Sequence, residues 1–306
     1  MTVLVTGATG NVGSQLVREL AARGTPARAF ARDSAKAERL LGAQAEIALG
    51  SFDDPASLRA AMRGVDAVFL STADHPGKVD DEIAVIDAAV AAEVSLLVKM
   101  SVHGAATDSP VGIWRRHASV EAYLGTVAVP STVLAATFFM TNLFAAADHV
   151  RQAGQMFAPV GDARIAMTDP ADVAAAAAAV LTDPQHRAER YVLTGPSAIG
   201  YPDIAQMLTE ITGRPVGFVD IPAEAARSAL RDAGLPGWYA DDLVAIFGEL
   251  KRGVAATPTD TIQRLTHRPA TTAGEFFRRH AAVFADSPDA DGSRLRPDPP
   301  VAVASR

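Results

Sequence analysis

The run Val3-Leu4-Val5-Thr6-Gly7-Ala8-Thr9-Gly10-Asn11-Val12-Gly13 constrains this fold more than any other part of the chain. Four apolar or β-branched residues read as a buried strand. Three glycines spaced three apart follow. Val12, Leu16, Val17 and Leu20 then recur at helical spacing. A strand, a glycine turn and a helix in that order suit a nucleotide pyrophosphate. Gly7 permits the tight turn, Gly10 lets the backbone approach phosphate oxygens, and Gly13 lets the helix sit close to the strand. The free N–H groups of the helix start then face the anion. Thr9, Asn11 and Val12 complete this candidate phosphate loop.

The rest of the composition narrows the class. The chain has 306 residues, of which 49% are hydrophobic, enough for one large α/β body and a small lobe. There are 0 cysteines, which excludes disulfides and thiolate chemistry. The net charge of −7 argues against a nucleic-acid surface. No apolar run reaches the about 18 residues needed to span a bilayer, and no signal peptide is expected before the first strand. A cytoplasmic protein is the expectation.

Strand and helix patterns alternate through the first part. Strands are expected at Thr2–Thr6, Ala27–Ala31, Ala45–Leu49, Ala67–Ser71, Leu96–Ser101 and Ser131–Ala136. Helices are expected at Val12–Arg23, Ser34–Leu41, Ala56–Met62, Asp80–Ala92 and Trp114–Leu124. Such repeats imply a doubly wound parallel sheet with helices on both faces and a ligand along the carboxyl ends of the strands. Past residue 150 the rhythm changes. A short strand or turn at Gly154–Pro159, a helix at Ala171–Leu181, a strand at Tyr191–Gly195, a helix at Tyr201–Thr212 and a strand at Val216–Ile221 suggest a smaller α/β lobe. The expected division is 1–150, 151–285 and a disordered tail, 286–306, rich in Asp, Pro, Ser and Arg.

Several segments together resemble the NmrA-like branch of the atypical short-chain dehydrogenases. They are Thr6–Gly13, Ala31-Arg32-Asp33, Gly50–Leu58, Gly64–Phe69, His117 with Glu121, and Phe139-Met140-Thr141-Asn142. Asp169, Asp172-Val173-Ala174, Gly213–Val216 and Glu275-Phe276-Phe277 extend the likeness almost to residue 285. The resemblance implies a Rossmann-type fold that binds NAD(P)H. It also implies one of two functions, because the family mixes reductases of quinones and natural products with silent regulators that sense the nicotinamide state. The first expectation is therefore an NADPH-dependent reductase of a quinone or flat conjugated carbonyl. The alternative is a non-catalytic NADP(H) sensor acting through a partner. The expected partner is a small aromatic or quinone-like substrate, with no nucleic acid, membrane or metal; a homodimer is open to it.

NADPH is the expected cofactor because Arg32 ends the second strand, about twenty residues past the glycine loop, where NAD-preferring sites carry an acid. A guanidinium grips a 2′-phosphate in bidentate fashion. Lys36 adds a second charge on the next helix, and Asp33 reads as that helix's cap. Phe52 would flank the adenine, although Ser51 stands where the family commonly has Asp. Ser71, Thr72 and Ala73 after the fourth strand and Met100 on the fifth complete the candidate cofactor set.

Well-known members of the wider superfamily use Ser, Tyr and Lys, with the last two four residues apart on a helix. Ser101 stands at the serine position. Ile113 and His117 stand at the other two, so the usual Tyr-Lys pair is expected to be missing. Tyr123 does not restore the spacing. His117 has two readings. It either holds Glu121 one turn later on the helix surface, or it projects to the nicotinamide, where an ordinary pKa near about 6.5 suits acid–base work. Ser101 and His117 are the catalytic candidates. His75, His103, Phe138, Phe139, Asn142 and Trp238 are the substrate-binding candidates, and their aromatic character points to a flat ligand.

Overall fold

The computed structural model describes residues 1–186 and 190–285. The segment 286–306, read above as a disordered tail, lies outside the described residues. Among the described residues there are nine strands: β1 Val3–Val5, β2 Ala27–Ala31, β3 Glu46–Leu49, β4 Ala67–Leu70, β5 Leu96–Val102, β6 Ser131–Ala136, β7 Gln155–Ala158, β8 Arg190–Leu193 and β9 Gly217–Asp220. Among the described residues thirteen α-helices run between and after them. They are α1 Asn11–Ala22, α2 Ser34–Leu41, α3 Pro55–Ala61, α4 Lys78–Ala91, α5 Gly112–Leu124, α6 Ala147–Ala153, α7 Pro170–Thr182, α8 Tyr201–Thr212, α9 Ala223–Asp232, α10 Gly237–Lys251, α11 Thr261–Thr266, α12 Ala273–Arg279 and α13 Ala281–Phe284.

Seven strands form one sheet in the order β3-β2-β1-β4-β5-β6-β8, all parallel. The chain starts in the middle and winds outward both ways, so the switch point lies between β1 and β4. The strands read as apolar runs because both faces are covered. Leu16, Val17 and Leu20 of α1 pack one face with α7 and α11. Leu58 of α3, Val85 and Ile86 of α4, and Val120 and Leu124 of α5 pack the other.

The alanine-rich helix α7 is buried along almost its whole length and packs on α1. Side chains this small let two helices approach closely. Asp169 caps it, accepting from the Ala171 N–H at 2.9 Å, and Pro170 opens its first turn.

Chain order and layer order part company after residue 150. Strand β8 joins the large sheet beside β6, and α7 lies under α1, so both belong to the large body rather than to the lobe. The reason is spatial: β6 would otherwise be an open edge, and β8 is the strand that pairs with it. The lobe is a two-stranded parallel sheet, β7-β9, with α6, α8, α10, α12 and α13 around an aromatic core of Phe276, Phe277 and Phe284. No described helix is long and apolar enough to cross a membrane.

Candidate active site

The glycine loop closes tightly on the end of β4. Gly7 has a φ of +60°, and a Cβ there would lie 2.7 Å from the Ser71 carbonyl oxygen. A Cβ on Gly13 would lie 2.2 Å from the Gly7 carbonyl oxygen, a distance no packed atom tolerates. The Gly10 N–H donates to that same carbonyl at 2.9 Å. Helix α1 begins at Asn11 with Gly10 as its extended N-cap. It has neither a side-chain cap nor an acid in its first turn. The amides of the first turn, between half-buried Thr9 and exposed Asn11, therefore carry the positive end of the helix dipole uncompensated. Val12 is buried and anchors that turn. A pyrophosphate fits this cradle.

The next cluster lies at the β2 and β3 ends. Arg32 is exposed just past β2. The Asp33 carboxylate accepts the Lys36 N–H at 2.9 Å and so is committed to capping α2. Lys36 is half-buried in the first turn of that helix. The Phe52 ring leans on Phe30 at 5.5 Å. Ser51 Oγ donates to Asp53 Oδ1 at 2.5 Å. His75 Nε2 lies 3.0 Å from Asp81 Oδ2. Burial pushes the Asp81 carboxyl up, His75 pulls it down, and the charges of Asp53 and Arg32 act on it in opposite directions. The His75 imidazole is turned to an acid on the first turn of α4.

Between β4, β5, α4 and α5 lies a buried charge cluster. Lys99 on β5 is 0% exposed, and its Nζ has three partners around it. They are Glu82 Oε2 at 2.9 Å, the Met100 carbonyl, and His117 Nδ1 at 3.2 Å. Glu82, also 0% exposed, meets Lys78 Nζ at 3.1 Å and accepts from Thr72 Oγ1 at 2.7 Å. Lys78 Nζ also donates to the Thr72 carbonyl at 3.1 Å and stands 3.5 Å from Asp74 Oδ1. The two lysines face two carboxylates, so formal charge balances inside the cluster. Glu82 stays ionised: the adjacent lysines hold its carboxyl below the usual range despite its burial.

His117 is 5% exposed. Burial, with Lys99, Lys78, Arg116 and Arg190 nearby, holds its pKa well below 6.5. It is therefore a neutral imidazole at pH 7, which corrects the picture of an acid titrating near neutrality. Its Nε2 lies 3.9 Å from Asp74 Oδ1, beyond direct hydrogen-bond reach. Neither does it hold Glu121 on the helix surface. Glu121 accepts from Ser101 Oγ and stands 3.6 Å from Arg190.

Ser101 is itself fully buried. Strand alternation puts it on the same face as Lys99, turned toward α5, and its hydroxyl donates to Glu121. Tyr123 donates to Asp87 at 2.5 Å on the outer flank of α4 and α5. Ile113 packs with Val111 and Trp114.

The remaining substrate candidates mark where the lobe meets the body. The Phe138 ring lies 6.3 Å from Phe247 of α10. Half-buried His103 hydrogen-bonds the backbone of Val254, and burial lowers its pKa. Trp238 lies under the Arg116 guanidinium at 4.9 Å. Phe139 packs against the core of the large body instead, and Asn142 is exposed on the 3-10 turn Met140–Ala146. Asp242 of α10 accepts the Gly112 N–H at 2.5 Å and pairs with Arg116 at 3.0 Å. A lobe residue thereby fixes the start of the helix that carries His117.

Sequence reading passes over Lys78, Glu82, Lys99 and Asp74, yet two signals pointed to them. Lys99 interrupts the apolar run Leu96–Met100, which otherwise reads as a strand buried on both faces. Lys78 and Glu82 fall in phase with Val85, Ile86 and Ala89, on the stripe α4 turns to the core.

The NmrA-like family profile matches residues 1–276. A (4-alkanoyl-5-oxo-2,5-dihydrofuran-3-yl)methyl phosphate reductase of Streptomyces griseus is 39% identical over 286 residues, which cover 92% of this chain and 99% of that protein. An NAD(P)H azoreductase of Xenophilus azovorans is 36% identical over 282 residues, with the same coverage of 92% and 99%. Among solved structures, an NADPH-dependent quinone oxidoreductase of Escherichia coli complexed with NADPH superimposes with a TM-score of 0.83 at 28% identity, over 91% of this chain and 99% of that one. A glycine cradle at the sheet's switch point and similarity along nearly the whole length lead to one assignment: this chain belongs to the NmrA-like family.

Proposed function

We propose that the protein is an NADPH-dependent reductase of a quinone or another flat conjugated carbonyl compound. The observation that carries this reading is the glycine cradle, with Gly13 pressed on Gly7 and an uncapped α1 behind it. The loop amides bind the pyrophosphate, Arg32 and Lys36 attract the 2′-phosphate, and Phe52 walls the adenine. The nicotinamide half then runs past Ser71, Thr72 and Ala73 toward Met100 and His117. Bound there, NADPH supplies a hydride.

The similar proteins named as azo, quinone and oxo-dihydrofuran reductases support the enzymatic reading over the sensing one. So does the side-chain chemistry. A quinone accepts hydride without prior protonation, so it needs no tyrosine acid. The protein's task is then to orient two flat rings and exclude water. Phe138 and Trp238, held by the lobe, provide apolar surface for this, and His117 provides a polar atom.

The test is NADPH oxidation, followed by absorbance, against a panel of benzoquinones, naphthoquinones and unsaturated lactones. Saturable turnover with at least one class is expected. Saturable NADPH binding with no turnover across the panel would overturn the reading in favour of a sensor.

A further inference from the structure

The buried lysine Lys99 has no place in the reading above, yet it touches His117, the ring which that reading places at the nicotinamide end. We propose that Lys99 is a positioning residue that fixes His117 as the tautomer with its proton on Nε2, so that the ring presents an N–H donor toward the β4 loop. What the donor serves rests on the reductase reading. The tautomer itself stands on geometry.

An ammonium group has three N–H donors and no acceptor. Lys99 Nζ hydrogen-bonds the Met100 carbonyl and His117 Nδ1, and Glu82 Oε2 is its ion-pair partner at 2.9 Å. Because an ammonium cannot accept, Nδ1 must offer its lone pair to it. At the far side of the ring Nε2 lies 3.9 Å from Asp74 Oδ1, the carboxylate oxygen that also pairs with Lys78 at 3.5 Å. Both ends therefore favour the same arrangement. The opposite tautomer sets N–H against an ammonium at one end and a lone pair against a carboxylate at the other. A doubly protonated ring repeats the first conflict.

The groups facing the ring come from every element around it. Lys99 lies on β5, Lys78 on α4, Arg116 on α5, Arg190 on β8 and Asp74 on the loop after β4. Burial first, and then the charges of Lys99, Lys78, Arg116 and Arg190, keep the ring neutral, while Lys99 is the group that touches Nδ1. Glu82 and Lys78 hold Lys99 in turn: Glu82 bridges the two ammonium groups with its two oxygens.

The test is long-range proton–nitrogen NMR on the full chain carrying 15N-labelled histidine, without cofactor, between pH 6 and 8. The His117 signals are assigned by their loss in His117→Gln. The expected pattern is a bare Nδ1 and a protonated Nε2, constant across that range. Lys99→Met should give a mixture of both tautomers. The double variant Glu82→Gln with Lys99→Met removes the stranded carboxylate and serves the same purpose if the single one does not fold. A wild-type ring protonated on Nδ1, a midpoint inside the range, or an unchanged pattern without Lys99 overturns the proposal. No outcome of this experiment depends on turnover. A correct tautomer in a protein that reduces no quinone sinks the reductase reading and leaves this proposal standing.

Discussion

The two ends of the cleft are built in different ways. The end at the glycine loop is backbone: three glycines within seven residues, an uncapped helix and the Ser71 carbonyl just past β4. The end at β5 and α5 is side chains: Lys78 and Glu82 from one helix, Lys99 from a strand and His117 from another helix. Local geometry needs few residues and tolerates none of the wrong size. A long-range charge cluster tolerates change of shape but requires every charge to be answered. Substitutions should therefore fail differently at the two ends.

The largest effect is expected at the backbone end. Gly13→Ala puts a methyl group 2.2 Å from the Gly7 carbonyl, so the loop must open. Overpacking of this kind costs about 1–3 kcal/mol of stability, and the displaced amides should lower NADPH affinity by a larger factor than the stability loss implies. Chemical denaturation and cofactor titration on the same variant measure both. A variant with native affinity would break the contrast, because the cradle would then not hold the phosphates.

The side-chain end should reveal itself through pH. The folded pKa of His117 lies well below its unfolded value. Between the two, the unfolded chain binds a proton that the folded one refuses, so stability is full above about pH 6.5 and falls as pH drops below it. The slope from one such group reaches about 1.4 kcal/mol per pH unit. His103 and His280 are also shifted down. The sharp observable is thus the difference between the wild type and His117→Gln, measured by urea denaturation at pH 7.5 and 5.5. The variant should show the shallower loss. Equal losses would mean that His117 is not held neutral.

The same contrast explains what the sequence disclosed. Spacing within a dozen residues reveals the glycine loop, the Asp33 cap and most element bounds, because neighbours in sequence settle them. The strand at Tyr191–Gly195 was legible as a strand, but its seat beside β6 was not, since pairing depends on which edge stands open. His117 was legible as a candidate and its partner was not: Lys99, 18 positions away, meets it only after β5 and α5 are packed together. Ser101 looked catalytic by position, whereas strand alternation turned it to Glu121.

The smallest effect should come from Tyr123→Phe. This change removes a hydrogen bond to Asp87 on the outer flank, away from both ends. Melting temperature, NADPH affinity and quinone turnover should all stay at wild-type values. A loss of turnover alone would make Tyr123 a displaced acid and remove the need for a chemistry that does without one.

The most direct test of the account is a fluorescence titration of the full chain with NADPH and with NADH, repeated in Arg32→Ala. One cleft that reads the phosphate ester at Arg32 and the pyrophosphate at the glycine loop predicts NADPH bound at least about tenfold tighter, a difference of about 1.4 kcal/mol. It also predicts that Arg32→Ala erases most of that gap while leaving NADH affinity unchanged. Equal affinities in the wild type, or a gap that survives the loss of Arg32, would contradict it.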